Sequence, residues 1–91
     1  MLEKRQFYIK GAWVDPIAGQ DHPVIDPSTE EPCAVISLGG QADTDAAVAA
    51  AKAALPGWMA TPVEGRIALV EKLIETYAAH AEDLAQAISM E

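Results

Sequence analysis

Cysteine and basic side chains are scarce in this sequence. Its single cysteine, Cys33, cannot form an internal disulfide, which favours a reducing, cytoplasmic setting and excludes a disulfide scaffold. Six Lys and Arg stand against fourteen Asp and Glu, giving a net charge of -8. Because the six are scattered along the chain, no face can neutralise many phosphates, so we expect no nucleic-acid or membrane partner.

Long apolar runs are also missing. The first residues lead into no hydrophobic core of a signal peptide, and the uncharged stretch of residues 53–63 is short and broken by Pro56, Gly57 and Pro62. We therefore predict neither a secretory signal nor a membrane-spanning helix.

Recognisable catalytic and cofactor motifs are absent. The glycines match neither G-x-G-x-x-G nor the P-loop pattern, and Gly39-Gly40 is read as a flexible joint between a strand and a helix. His22 and His80 have no spacing typical of zinc ligands. These observations predict that the chain itself carries no dinucleotide site, catalytic residue or zinc site.

Cys33 and Ser28 are the candidate nucleophiles. Glu30 and Glu31 precede Cys33 and disfavour the thiolate form that a nucleophile needs. Ser28 lies in the run Asp26-Pro27-Ser28-Thr29, which is typical of a turn whose side chains hydrogen-bond the local backbone. We interpret both residues as structural.

The first half of the chain has the pattern of short strands. Strand-favouring residues alternate with turn formers over residues 6–38, and Lys10-Gly11 resembles the loop of a two-residue hairpin. Prolines at 16, 23, 27 and 32 keep these strands short or at sheet edges. This half is predicted to be an antiparallel β meander.

The second half has helical periodicity. We predict one helix over about 42–55, ended by Pro56-Gly57, and helical structure over about 62–90, begun by a capping box of Thr61 and Glu64. The run Ala78–Ala81 is compatible with one continuous helix or with a break, so two or three helices are expected.

An apolar stripe runs through the second helical region without a partner in the chain. Its members share helical spacing: Ile67, Val70, Leu73 or Ile74, Tyr77, Ala81, Leu84 and Ile88. So short a chain offers little apolar surface to cover the stripe. We expect an incomplete domain, read either as a fragment of a longer protein or as a tight oligomer.

Five segments in order resemble one enzyme family. They are residues 7–14 (FYIKGAWV), 24–30 (VIDPSTE), 45–54 (DAAVAAAKAA), 56–58 (PGW), and Arg66 with 88–91 (ISME). Together they resemble the N-terminal segment of the NAD(P)-dependent aldehyde dehydrogenase superfamily, from about Gln6 to Glu91. One departure is Asp26, where the family usually has Asn.

The resemblance implies an α/β fold of which this chain is the N-terminal portion, flanking the cofactor-binding domain. It implies a parent enzyme that oxidises an aldehyde on a cysteine, passes hydride to NAD or NADP, and works as a homo-oligomer. The catalytic residues and the cofactor crevice of that family lie beyond the matched segment, so Cys33 does not correspond to the nucleophile. The partner implied is the remainder of the same polypeptide.

The resemblance also implies a possible site for a monovalent cation. Some family members hold sodium or potassium with main-chain carbonyls that correspond to Val24 and Ile25, and with a carboxylate that aligns with Glu91. Oxygen ligands of this kind suit hard cations.

Two hypotheses of function follow. In the first, the chain is the N-terminal scaffold of an aldehyde dehydrogenase and is inert alone. In the second, it is a stand-alone interaction or regulatory module whose stripe pairs with itself or with a partner helix. The aldehyde substrate and the choice of NAD or NADP are not encoded in these residues.

Overall fold

A computed structural model describes residues 1–91, with five strands followed by three helices. The strands are β1 (Leu2–Lys4), β2 (Phe7–Ile9), β3 (Ala12–Val14), β4 (Gln20–Asp26) and β5 (Glu31–Leu38). The helices are α1 (Gln41–Met59), α2 (Val63–Ala79) and α3 (Ala81–Met90). Strands preceding helices confirm the predicted α/β class.

The hairpin predicted at Lys10-Gly11 is present. Strands β2 and β3 pair antiparallel from Phe7 opposite Val14 to Ile9 opposite Ala12. Lys10 and Gly11 have φ of 55° and 76°, the left-handed values of a type I′ turn. Such a turn matches the twist of the two strands, which is why the dipeptide suffices to reverse the chain.

The remaining strands form a separate sheet in the order β1-β5-β4. Strand β4 pairs antiparallel with β5, with a register irregularity between Val24 and Ile25, whereas β1 pairs parallel with β5. The prediction of one antiparallel meander starting near residue 6 is therefore wrong for β1. Three residues, two of them charged, carry no strand pattern by themselves, and their partner lies about thirty residues away in the sequence.

Helix α1 is longer than predicted, because it continues through Pro56 and Gly57 to Met59. Pro56 lacks a backbone N–H, so it removes one hydrogen bond from the helix. The next turn is nevertheless helical, because the amide of Ala60 donates to the Pro56 carbonyl at 3.1 Å. The predicted end at residue 55 is thus wrong by one turn.

The predicted capping box at Thr61 does not form. The Thr61 hydroxyl donates to the Gly57 carbonyl at 3.0 Å, and α2 begins at Val63 after Pro62. Helix α1 ends only two residues before Thr61, so its Gly57 carbonyl has no partner within the helix and accepts the Thr61 hydroxyl. The hydroxyl is then not free to cap α2.

The helical region after Val63 is divided at His80, which resolves the two alternatives in favour of three helices. His80 has φ of -113° and ψ of 12°, its amide donates to the Tyr77 carbonyl, and its Nδ1 lies 2.9 Å from the Thr76 carbonyl. The histidine closes α2 and α3 starts at the next residue.

No hydrophobic residue of the chain is fully buried, and the two buried residues are Ser37 and Asp43. The molecule measures 48 × 34 × 16 Å, with a radius of gyration of 16.8 Å. A compact domain of this length has a radius of gyration of about 12 Å. The described residues therefore form a thin layer whose apolar faces remain open. None of the helices is long and apolar enough to cross a membrane.

Candidate functional site

Cys33 lies on β5 beside the C-terminal end of α3. Its Sγ is 3.4 Å from the Val24 carbonyl oxygen and 3.6 Å from that of Met90, so its S–H can donate to either. The thiol thus links β4, β5 and α3, which agrees with the packing role inferred from its neighbours in the sequence.

A cavity of about 170 Å³ surrounds Cys33 and brings together two of the three predicted cation ligands. Val24 and Glu91 line it, together with Leu2, Lys4, Ala34, Ile36, Ala87 and Met90. Ile25 is not among the lining residues.

The donors at this cavity fit a cation only in part. They include the Val24 carbonyl, which accepts from the Cys33 thiol, and Glu91 also lines the cavity. Lys4 lines it as well, and a basic residue there disfavours a cation. No group of three or more His, Cys, Asp or Glu side chains is placed to share a metal ion. The described residues do not form a complete oxygen cage, and the cation site stays a prediction.

The turn from Asp26 to Glu30 follows directly on β4. The Ser28 hydroxyl and amide donate to Asp26 Oδ1 at 2.7 and 2.8 Å, and the Glu30 amide donates to the Asp26 carbonyl at 2.7 Å. The Ser28 hydroxyl, followed by the Ser28 amide, lowers the pKa of Asp26 below its ordinary value. Ser28 is engaged in this turn, as the sequence predicts.

Asp43 is a structural site that the sequence analysis missed. This buried carboxylate accepts from the Ile17 amide at 2.8 Å through Oδ1 and from the Gly40 amide at 3.1 Å through Oδ2. An acid three residues into a helix is a sequence signal for the Gly40 bond. The Ile17 bond joins residues 26 positions apart, and no local pattern announces it.

Arg66 fixes the joint between α1 and α2. Its guanidinium donates to the carbonyls of Thr61 and Met59, both at 3.0 Å, and its Cζ lies 5.8 Å from the Trp58 ring centroid. A cation over an indole face is a favourable contact. The two tryptophans therefore have local structural roles, since Trp13 packs edge-on against Tyr8 in the hairpin.

An unpartnered apolar surface lies on α2, and we call it the open face of α2. It consists of Val63, Ile67, Val70, Ile74 and Tyr77, with Leu69 and Leu73 on its flank, and every one of these side chains is more than half exposed. The element that α2 chiefly contacts is α3. The predicted stripe is thus present, and the chain itself does not cover it.

Comparisons with known proteins give a consistent result. A model of the aldehyde dehydrogenase family matches residues 13–91. The chain is 37% identical to 3-succinoylsemialdehyde-pyridine dehydrogenase from a Pseudomonas species over all of its length. It is 38% identical to hydroxyisobutyraldehyde dehydrogenase from Mycolicibacterium austroafricanum over 92% of its length.

The chain spans only 19% and 17% of the lengths of these two relatives. Among solved structures, it is similar to the aldehyde dehydrogenase from Bartonella henselae, with a TM-score of 0.97 and 52% identity. That similarity covers 99% of this chain and 19% of the Bartonella chain.

Proposed function

Because the chain belongs to the aldehyde dehydrogenase family, we propose that it is the N-terminal scaffold segment of an enzyme that oxidises an aldehyde to a carboxylic acid with NAD or NADP. The observation that carries the proposal is the TM-score of 0.97 to a solved aldehyde dehydrogenase over nearly the whole chain. The same comparison covers only 19% of that enzyme, so the reacting groups are proposed to lie outside these residues.

The segment is proposed to be inert by itself. Cys33, its one thiol, faces main-chain carbonyls between β4 and α3, and Ser28 is engaged with Asp26. These contacts support structural roles for both hydroxyl and thiol. The similarities support the scaffold hypothesis over the stand-alone module, since the relatives named above are aldehyde dehydrogenases.

A chimera tests the scaffold proposal. The matched stretch of the Bartonella enzyme is replaced by these 91 residues, and the oxidation of an aldehyde that the unmodified enzyme accepts is followed by NADH or NADPH absorbance. We expect an active chimera. The 91-residue chain alone, assayed in the same way, is expected to produce no reduced cofactor.

Activity of the isolated chain would overturn the claim that it is inert. A soluble chimera without activity, measured beside the active Bartonella enzyme, would overturn the scaffold proposal. The wild-type Bartonella enzyme carried through the same purification is the control for losses in handling.

The cation site is proposed as a partial one. Main-chain carbonyls of Val24 and Ile25 and the Glu91 carboxylate supply some of its oxygen ligands, and the rest come from outside the 91 residues. In the chimera, we expect Glu91→Gln to reduce the rise in melting temperature that potassium chloride gives over choline chloride at equal ionic strength. An unchanged rise would contradict the role of Glu91.

Assembly and location complete the proposal. We propose that the whole enzyme is a homo-oligomer of the cytoplasm, a location supported by the acidic composition and the single cysteine. Light scattering of the chimera measures the first point.

A further inference from the structure

We propose that the Lys4 side chain competes with monovalent cations for the oxygen atoms of the cavity beside Cys33, and that its ammonium group is the principal cation of that cavity. The proposal rests on the proposed function, in which the remaining oxygen ligands come from outside the 91 residues. It adds a residue to which the family resemblance does not point, and it makes potassium a weak ligand of the whole enzyme.

Strand β1 brings Lys4 to the cavity. Lys4 lies opposite Ile36, and Leu2 lies opposite Ala34, in the parallel pairing with β5. All four residues line the cavity. Residues two apart in a strand share a face, whereas the residue between them lies on the other face. Glu3 is accordingly absent from the lining, so β1 supplies a cation to the cavity and no carboxylate.

Charge is sparse at the cavity. Seven of the nine lining residues are hydrophobic, and the two charged ones are Lys4 and Glu91. In the whole enzyme, where further residues are proposed to close the cavity, a carboxylate is costly unless it meets a positive charge. Both ion pairs of the chain are formed by Arg5, so no other carboxylate is in contact with the Lys4 ammonium. Lys4 is therefore available to neutralise Glu91.

The main-chain oxygens at the cavity suit an ammonium group as well as a metal ion. The carbonyl oxygens of Val24 and Met90 lie 3.4 and 3.6 Å from Cys33 Sγ, and the single thiol proton can use only one of their lone pairs. An ammonium group has three donors for the others, and potassium needs the same oxygens. The two cations exclude each other, and the one tethered to β1 has the higher local concentration.

The experiment measures the melting temperature of the chimera against potassium chloride, with choline chloride holding the ionic strength constant. Lys4→Gln removes the ammonium group and keeps a polar side chain. We expect the half-saturating potassium concentration to fall by at least about threefold, because a like charge beside the bound ion is removed. If the unsubstituted chimera does not saturate, saturation of Lys4→Gln is the readout.

Two controls separate the position of Lys4 from its charge. Lys52→Gln makes the same change on α1, outside the lining of the cavity, and is expected to leave the half-saturating concentration unchanged. Lys4→Arg keeps the positive charge, so it is expected to retain the weak potassium response.

Glu91 completes a double-mutant cycle. Glu91→Gln removes the anion for which both cations compete, so the gain in potassium response from Lys4→Gln is expected to disappear in the double variant. In choline chloride alone, Lys4→Gln is expected to lower the melting temperature of the chimera, and to lower it less when Glu91 is already Gln.

The outcomes separate this proposal from the proposed function. An unchanged half-saturating concentration in Lys4→Gln, beside an active chimera, would overturn the competition and leave the scaffold function standing. An equal fall in Lys52→Gln would assign the effect to net charge and overturn the role of Lys4. No potassium response in either the chimera or Lys4→Gln would show that the cavity takes no monovalent cation, and would also overturn it. An inactive chimera would overturn the proposed function itself.

Discussion

Asp43 joins the loop before β4 to the start of α1, because its two oxygens accept from the amides of Ile17 and Gly40. Its surroundings are tight, since a Cβ on the adjoining Gly39 would lie 3.2 Å from the Phe7 ring. Losing this acceptor is costly, because the part-buried amides of Ile17 and Gly40 are then left without their partner. The Asp43 carboxylate therefore contributes more to stability than its interaction with the N-terminal end of the helix dipole alone would.

We predict that Asp43→Asn destabilises the chimera by about 1–3 kcal/mol. The amide keeps one acceptor oxygen, but its NH₂ group then faces a backbone donor. Thermal unfolding of the chimera measures the loss. Asp45→Asn is the control, because Asp45 is exposed and receives its bond from Gln41 on the same helix. Equal melting temperatures for the two variants would contradict the role of Asp43.

The turn at Asp26 predicts a pH dependence. Its folded pKa lies below the ordinary value of 3.8, mainly through the Ser28 hydroxyl and then through the Ser28 amide. A carboxyl with a lowered folded pKa stabilises the fold above its ordinary pKa, and the contribution is lost as pH falls through the folded pKa. Ser28→Ala removes the larger cause, so we expect the Asp26 titration midpoint to move upward toward 3.8. Carboxyl-carbon NMR of Asp26 in the chimera measures the midpoint, and a shift downward would contradict the assignment.

At the scale of the element, two glycines of this chain differ in whether their backbone conformation needs glycine. Gly11 has φ of 76° in the hairpin turn, whereas Gly57 lies near the end of α1 with open space around the position of a Cβ. A side chain at the first position is strained by the left-handed backbone, and at the second it meets no other residue of this 91-residue chain.

We predict that Gly11→Ala destabilises the chimera by about 1–2 kcal/mol and that Gly57→Ala stabilises it by up to about 1 kcal/mol. The pair forms an internal comparison, because each variant adds one methyl group. Opposite shifts in melting temperature are the expected result, and shifts of the same sign would show that one of the two backbone conformations is misassigned.

The elements that could be predicted are those specified by neighbouring residues. The hairpin follows from Lys10-Gly11 and the helices follow from apolar periodicity, whereas β1 depends on a parallel partner far along the chain. The end of α1 and the start of α2 were misplaced because Thr61 bonds back to Gly57 across the joint. Short-range patterns thus predict elements well and their junctions poorly.

The same distinction applies to the candidate site. The resemblance pointed to Val24, Ile25 and Glu91, of which Val24 and Glu91 line one cavity. The presence of Lys4 at that cavity depends on the position of β1, which no local pattern predicts. No sequence pattern indicates the Asp43 bond to Ile17, because that contact exists only once the loop before β4 lies against α1.

At the scale of the whole molecule, the exposed area determines stability. A chain that buries two of its 91 residues lacks the core from which small domains derive cooperative unfolding. The strands and helices have their backbone hydrogen bonds, but these residues provide no second layer to cover the apolar faces.

We therefore predict that the isolated chain unfolds gradually in urea, with a slope below about 1 kcal/mol per molar, and that it binds a hydrophobic dye. Circular dichroism and dye fluorescence measure the two effects. The chimera provides the comparison, in which the same residues are expected to unfold with the rest of the enzyme. A sharp transition of the isolated chain would mean that its apolar faces are covered in solution.

The parallel pairing of β1 with β5 places the two ends of the chain side by side, because Leu2 and Lys4 line the same small cavity as Met90 and Glu91. Residues near the two ends of the chain therefore line the same cavity. The strand that opens the chain and the C-terminal end of α3 are thus close in space although nearly ninety residues apart in the sequence. A donor dye attached beside β1 and an acceptor dye attached at the end of α3 should therefore report strong energy transfer.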